Sequence, residues 1–334
     1  MATRSSEQPE ETRDSPTKPI RRDYRPGGTF RKAGAFGVLR RTVTEFSEDN
    51  LTDWAAALTY YGLLAMFPAL IVLVSIVGLF ADPRTTAQKI TEIVTEIGPS
   101  SSAQTFSGPI KSITSNQSAA GILVVVGLVA ALWSASSYVG AFMRASNVIY
   151  ETPEGRPVWK LRPLQTLLTL VIVLLVAILG LALVLTGPIV DAVAGPLGIS
   201  STATTIWDIA KWPVMLAIVL TIIAVLYYAS PNVRLRGFRW VTPGSLVAVV
   251  AWLVASAGFA LYVANFGSYD KTYGTLGAIV VSLVWLWITN LALLFGLELN
   301  AERERSHELA ERVPRAEREI QLEPRSAPKE QRTT

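Results

Sequence analysis

Five residues beside long apolar runs carry most of the chemistry in this chain: Asp53, Arg144, Asn147, Glu298 and Asn300. Each is ionisable or strongly hydrogen-bonding, and each borders a segment too apolar to solvate it. An unpaired carboxylate or guanidinium at the centre of a bilayer costs about 2.5–3.5 kcal/mol on insertion scales, and less near the interface. Such groups persist where they pair, line a wet cavity or meet a substrate. Trp133, Ser137, Gly140, Arg144 and Asn147 recur at i, i+4, i+7, i+11 and i+14, one helical stripe of mostly small and polar residues. Two chemistries fit this pattern. In one, the stripe faces a polar vestibule that admits an ionic or amphipathic substrate. Arg144 and Glu298 are then its substrate- or ion-coupled charges, with Asp53, Asn147 and Asn300 around them. In the other, Arg144 pairs with Glu298 or Asp53, and the salt bridge only fixes the packing of helix ends.

A second set is aromatic. Tyr262, Phe266, Tyr269 and Tyr273, with Asn265 among them, form either an outer gate or the aromatic belt common at membrane interfaces. Trp207, Asp208, Lys211 and Trp212 read the same way, and Asp208 and Lys211 at i, i+3 are spaced to pair. Arg234, Arg236 and Arg239 either attract anionic lipid, at about 1 kcal/mol each near the surface, or simply set topology. Ala251 with Ala255, Ser256 with Ala260 and Gly274 with Gly277 are small-residue pairs that let helices approach closely.

The elements that must position these residues are spans. Of the 334 residues, 50% are hydrophobic and only 17% charged, with the apolar residues gathered in long blocks. The blocks predict an all-α polytopic membrane protein with six transmembrane helices, at about 54–80, 119–149, 164–189, 206–229, 243–266 and 275–299. Pro68 is expected to kink the first. Residues 1–30 read as a disordered tail without a cleavable leader, 31–305 as the membrane domain and 306–334 as a charged tail; the stretch AERERSHELAER after Asn300 is helix-favouring, and disorder is expected beyond Pro314. The stretch 30–50 reads as a basic amphipathic surface helix. In the first external loop, Ile90, Ile93, Val94 and Ile97, then Phe106, Ile110 and Ile113, predict two short amphipathic helices. The second loop carries Arg156, Lys160 and Arg162 and the fourth Arg234, Arg236 and Arg239, whereas the third carries no Lys or Arg. The positive-inside rule then places both termini in the cytoplasm.

Composition also excludes. Without cysteine there is no disulfide, thiolate nucleophile or cysteine metal site. One histidine, His307, supplies neither a multi-histidine metal site nor a His-based triad. No phosphate loop, nucleophile elbow, HExxH or calcium loop occurs. A hydrolytic nuclease needs clustered carboxylates or histidines for metal and water activation, and here the acids outside the tails are scattered. No enzyme activity, cofactor or nucleic-acid partner is expected, and membrane lipids are the expected contacts.

WAAALTYYGLLAMFPAL (54–70), SASSYVGAFMRASNVIYE (134–151), RLRGFRWVTPGSLVAVVAWLVASAGFALYVANF (234–266) and YDKTYGTLGAIVVSLVWLWITNLALLFGLELN (269–300) together resemble the YihY/BrkB family of bacterial inner-membrane proteins. The likeness covers about 36–305. It implies six spans in the cytoplasmic membrane. It also implies a part in envelope integrity or serum resistance, for which transport of lipids or ions has been proposed. The family once bore the label ribonuclease BN. The resemblance carries no catalytic residues onto this sequence.

Overall fold

Hydrocarbon offers backbone amides no partner but each other, so apolar runs of this length must be helical. The computed structural model describes residues 34–80, 117–184, 201–265, 275–317 and 319–327. These form seven helices: α1 (Ala35–Glu48), α2 (Leu51–Phe80), α3 (Gln117–Ile149), α4 (Val158–Val184), α5 (Ser201–Ala229), α6 (Pro243–Asn265) and α7 (Thr275–Ala310). Among the described residues, the only extended pairing is an isolated bridge between Val233 and Pro324. Four of the described helices are long and apolar enough to cross a membrane: Val158–Gly180, Thr205–Ala229, Pro243–Asn265 and Ile279–Ala310. The most apolar window of each is only 11–22% buried, so most of its surface faces outward, as spans do in lipid. Leu174, Ile209, Val254 and Leu261 stand exposed on these faces, an apolar surface that water would not tolerate at this extent. The two helices expected in the first external loop, Tyr269, Tyr273 and the tail before residue 34 lie outside the described residues.

α7 is the hub, touching α1, α2, α3 and α6, while α4 bridges α3 to α5. Its inward face reads Asn290, Leu294, Leu297 and Ala301, all buried. Leu294, Leu297 and Ala301 pack with Leu51, Leu58, Phe142 and Ala145 into one core. α6 and α7 cross with their backbones in contact. A Cβ on Gly244 would run into the carbonyl oxygen of Gly296, and one on Gly296 into that of Gly244. This close crossing lies beyond the small-residue pairs read from the sequence.

Three local devices shape one end of the bundle, called here the charged end. Asn50, with φ 51°, turns the chain between α1 and α2. α3 closes with Glu151 in the left-handed region (φ 48°), the Glu151 N–H donating to Val148 and the Thr152 N–H to Asn147. α7 closes the same way at Arg312 (φ 57°), with Val313 N–H on the Glu308 carbonyl. The sequence ended the sixth span at 299, with a helix-favouring charged stretch after it and disorder after Pro314. One helix does run on to Ala310, but the chain beyond it then folds back across the charged end. There Ile320 is buried. Arg325 donates to the Val233 and Tyr228 carbonyls at 2.8 and 2.6 Å, and its guanidinium lies over the Tyr228 ring. Apolar burial of Ile320, and carbonyls left open where α5 ends, account for the order that composition hid.

Candidate functional site

The charged end is built from α1, the starts of α2 and α6, the ends of α3, α5 and α7, and the returning segment. Its centre is Arg305, 4% exposed. Arg305 Nη1 lies 3.2 Å from Glu45 and 3.1 Å from Glu302, and Nε and Nη2 donate to the carbonyls of Ala316 and Glu317. Arg41 engages the other Glu302 oxygen and the Ser306 hydroxyl. A buried ion pair holds only when its remaining donors and acceptors are satisfied, and here they are. Burial pushes the Glu45 carboxyl above its ordinary range despite the Arg305 charge beside it. Burial does the same to Glu151, against the Ile320 N–H that donates to it at 2.8 Å.

A second knot fixes the loop after α3. Asn147 donates to Glu154 at 2.9 Å and accepts from the Asn232 N–H at 2.8 Å. Arg156 forks onto both Glu154 oxygens and caps the Ser230 carbonyl at 2.9 Å. Burial raises the Glu154 carboxyl, but the bonds from Arg156 and Asn147 outweigh it and hold the group below its usual range. A third knot starts α6: Thr242 and Ser245 cap each other's N–H groups, and Asn300 accepts from the Gly244 N–H while donating to the Thr242 hydroxyl. Asn147 and Asn300 are thus both at the charged end, and both are engaged in packing.

Glu298 differs from all of these. It is 2% exposed and its Oε2 has no hydrogen-bond partner among the described residues. Arg144 does not reach it. The pairing expected from the sequence is absent: Arg144 is exposed and makes no ion pair among the described residues. Trp133 on the same stripe is 74% exposed, whereas Gly140 is buried against Gln165. The stripe therefore splits. A guanidinium on a long stem reaches solvent or headgroups more cheaply than it enters a dry interface. Asp53, in the first turn of α2, is exposed too.

Away from this end the polar links among the described residues are few. Tyr138 donates to Asn290, which donates to Thr59, joining α3, α7 and α2. Trp252 donates to Thr289 and Tyr227 to the Leu293 carbonyl, at 3.0 and 2.6 Å. Asp208 and Lys211 pair at 2.9 Å, as their spacing predicts. Tyr262 stacks on Phe259 at 6.4 Å between centroids. Near it a lateral groove of about 1130 Å³, open space included, runs between α6 and α7, lined by Trp252, Ser256, Phe259, Ser282 and Trp285.

The sequence missed Arg41, Glu45, Glu302 and Arg305. The signal was the phase of α7: Asn290, Leu294, Leu297, Ala301 and Arg305 continue one inward face past the apolar run.

A bundle of exposed apolar helices tied at one end by buried charge defines a polytopic helical membrane protein. Residues 42–321 match the family model of the virulence factor BrkB, and the chain belongs to that family. It is similar to YfkH of Bacillus subtilis, a protein named as ribonuclease-like, with 28% identity over 78% of this chain and 92% of that one. It is also similar to UPF0761 membrane proteins of Alteromonas mediterranea (26% identity, 84% of this chain, 92% of the relative) and Rhodospirillum centenum (31%, 80% of this chain, 57% of the relative). No solved structure matches it.

Proposed function

We propose that the protein is a carrier or flippase-like protein of the bacterial cytoplasmic membrane, moving a lipid, a lipid-linked molecule or an ion and so contributing to envelope integrity. In this reading α2 and α3, 30 and 33 residues long, complete six spans, and the charged end with both termini faces the cytoplasm. Arg156, Arg162, Arg234, Arg236 and Arg239 gathered at that end support the orientation.

The observation that carries the proposal is Glu298. A carboxyl this buried, with its Oε2 unpartnered and no cation paired to it among the described residues while arginines hold Glu45, Glu154 and Glu302, serves something other than packing. Its role is that of an ion- or substrate-coupled charge, with Arg144 and Asp53 exposed at the mouth to meet the cargo and Tyr262, Tyr269 and Tyr273 as the outer gate. Asn147 and Asn300 hold the scaffold around it. The lateral groove between α6 and α7 would give a lipid access from the bilayer.

A second reading, an envelope-integrity protein that moves nothing, draws on the engagement of Asn147 and Asn300 in packing. Purified full-length protein in liposomes separates the two. Translocation of a fluorescent phospholipid, or ion flux above that of protein-free vesicles, supports the carrier. Neither, with correctly inserted and folded protein, supports the second reading. The ribonuclease-like name of the Bacillus relative is tested by incubating the protein with RNA, with and without divalent metal.

A further inference from the structure

The charged end holds another recess, between the ends of α5, α6 and α7, of about 680 Å³ including its open mouth. Its lining includes Tyr227, Tyr228, Arg236, Arg239, Arg303 and His307, the protein's one histidine. The cations are not equivalent. Arg236 is neutralised by Glu311 at 2.9 Å and by Glu304, also in the lining, at 3.5 Å. Arg239 and Arg303 make no ion pair among the described residues, so the recess keeps two uncommitted guanidinium forks and an imidazole. A guanidinium matches the oxygens of a phosphate two at a time, and a partly enclosed site strengthens that contact.

The loop that carries Arg236 and Arg239 adds an independent observation. Phe238, Trp240 and Val241 stand 42%, 64% and 49% exposed, and Tyr228, Phe238 and Trp240 form a T-shaped chain of rings. Exposed aromatic side chains at the end of a transmembrane bundle sit at headgroup depth. A phosphate-binding recess with an apolar aromatic rim at that depth fits a phospholipid better than a soluble anion.

We propose that this recess binds the phosphate of an anionic phospholipid from the leaflet facing the charged end, with Arg239 and Arg303 as its ligands and His307 as a further donor. The inference deepens the carrier reading, on which it rests for every step after binding. It names a phosphate-bearing lipid as the cargo class and this recess as its point of capture.

The test is a titration of the full-length protein in detergent with dihexanoyl phosphatidylglycerol, dihexanoyl phosphatidylcholine and inorganic phosphate, read by thermophoresis. Saturable binding of the glycerol lipid is expected, weakened tenfold or more by Arg239→Gln with Arg303→Gln, partly restored by the two lysine substitutions, and unchanged by Arg162→Gln. Arg239→Gln alone, at an exposed position, gives the same direction if the double variant does not fold. Equal affinity for wild type and variant, or equal binding of the choline lipid, would overturn the proposal. So would competition by inorganic phosphate at equal concentration, since the ligand would then be free phosphate. Protein that binds the glycerol lipid but moves nothing in liposomes would sink the carrier reading and leave the site standing. Flux without this binding would sink the site alone.

Discussion

The charged end and the lipid-facing body of the bundle hold together by different physics. At the charged end, buried Arg305, Glu302, Asn147 and Asn232, with Asn300 beside them, are tied across distant parts of the chain, and backbone ends are capped by side chains. In the body, the described links reduce to Tyr138–Asn290–Thr59, a few tryptophan and tyrosine bonds, and the backbone contact at Gly244 and Gly296. Between spans there is no hydrophobic drive, because lipid tails are as apolar as leucine; close packing and occasional hydrogen bonds must suffice. Where the bundle meets water, buried charge is allowed only if paired. Glu298 breaks the rule of the end it belongs to, and the contrast with its neighbours marks it.

The contrast can be broken most severely at its hub. Arg305→Ala strands Glu302 and Glu45 and uncaps two carbonyls, and should cost about 3–5 kcal/mol, seen as a large loss of thermal stability in detergent. Next, Gly296→Val forces α6 and α7 apart and should cost about 1–3 kcal/mol, with altered proximity of the two helices by cysteine cross-linking. Asn290→Leu removes two bonds worth about 0.6 kcal/mol each, about 1.7 at most, and should lower the melting temperature slightly. Glu154→Gln sharpens the comparison through pH. Because the folded state holds this carboxyl low, its contribution is present at neutral pH and is lost as pH falls through that lowered value. The melting deficit of the variant should therefore shrink below about pH 4. Glu45 and Glu151, held high, act in the opposite sense: their contribution is present at low pH and lost as pH rises through their raised values. Smallest of all, Leu253→Ala on the lipid face should change stability by less than about 0.5 kcal/mol.

Much of the body was legible in the sequence. Runs of apolar residues give helices in lipid with little ambiguity, and the i, i+3 pair Asp208–Lys211 follows from spacing alone. The charged end was legible only in outline. Asn147, Glu298 and Asn300 were picked out and do lie there, but the partners of the two asparagines come from Glu154, Asn232, Thr242 and Gly244, which no local pattern links to them. The Arg144 stripe failed because helical phase tells which residues share a face, not where a neighbouring helix stops covering it. The tail failed because composition averages over residues, while Ile320 and Arg325 anchor it through specific contacts.

Glu298→Gln is the most direct test of the whole, because it keeps the shape and removes the charge. The variant and wild type should be compared for melting temperature in detergent and for lipid or ion flux in liposomes. The expected result is a melting temperature equal to or above that of wild type, since the amide replaces a buried carboxyl whose Oε2 has no partner among the described residues, together with loss of flux. Unchanged flux at unchanged stability would show that the buried carboxyl carries nothing.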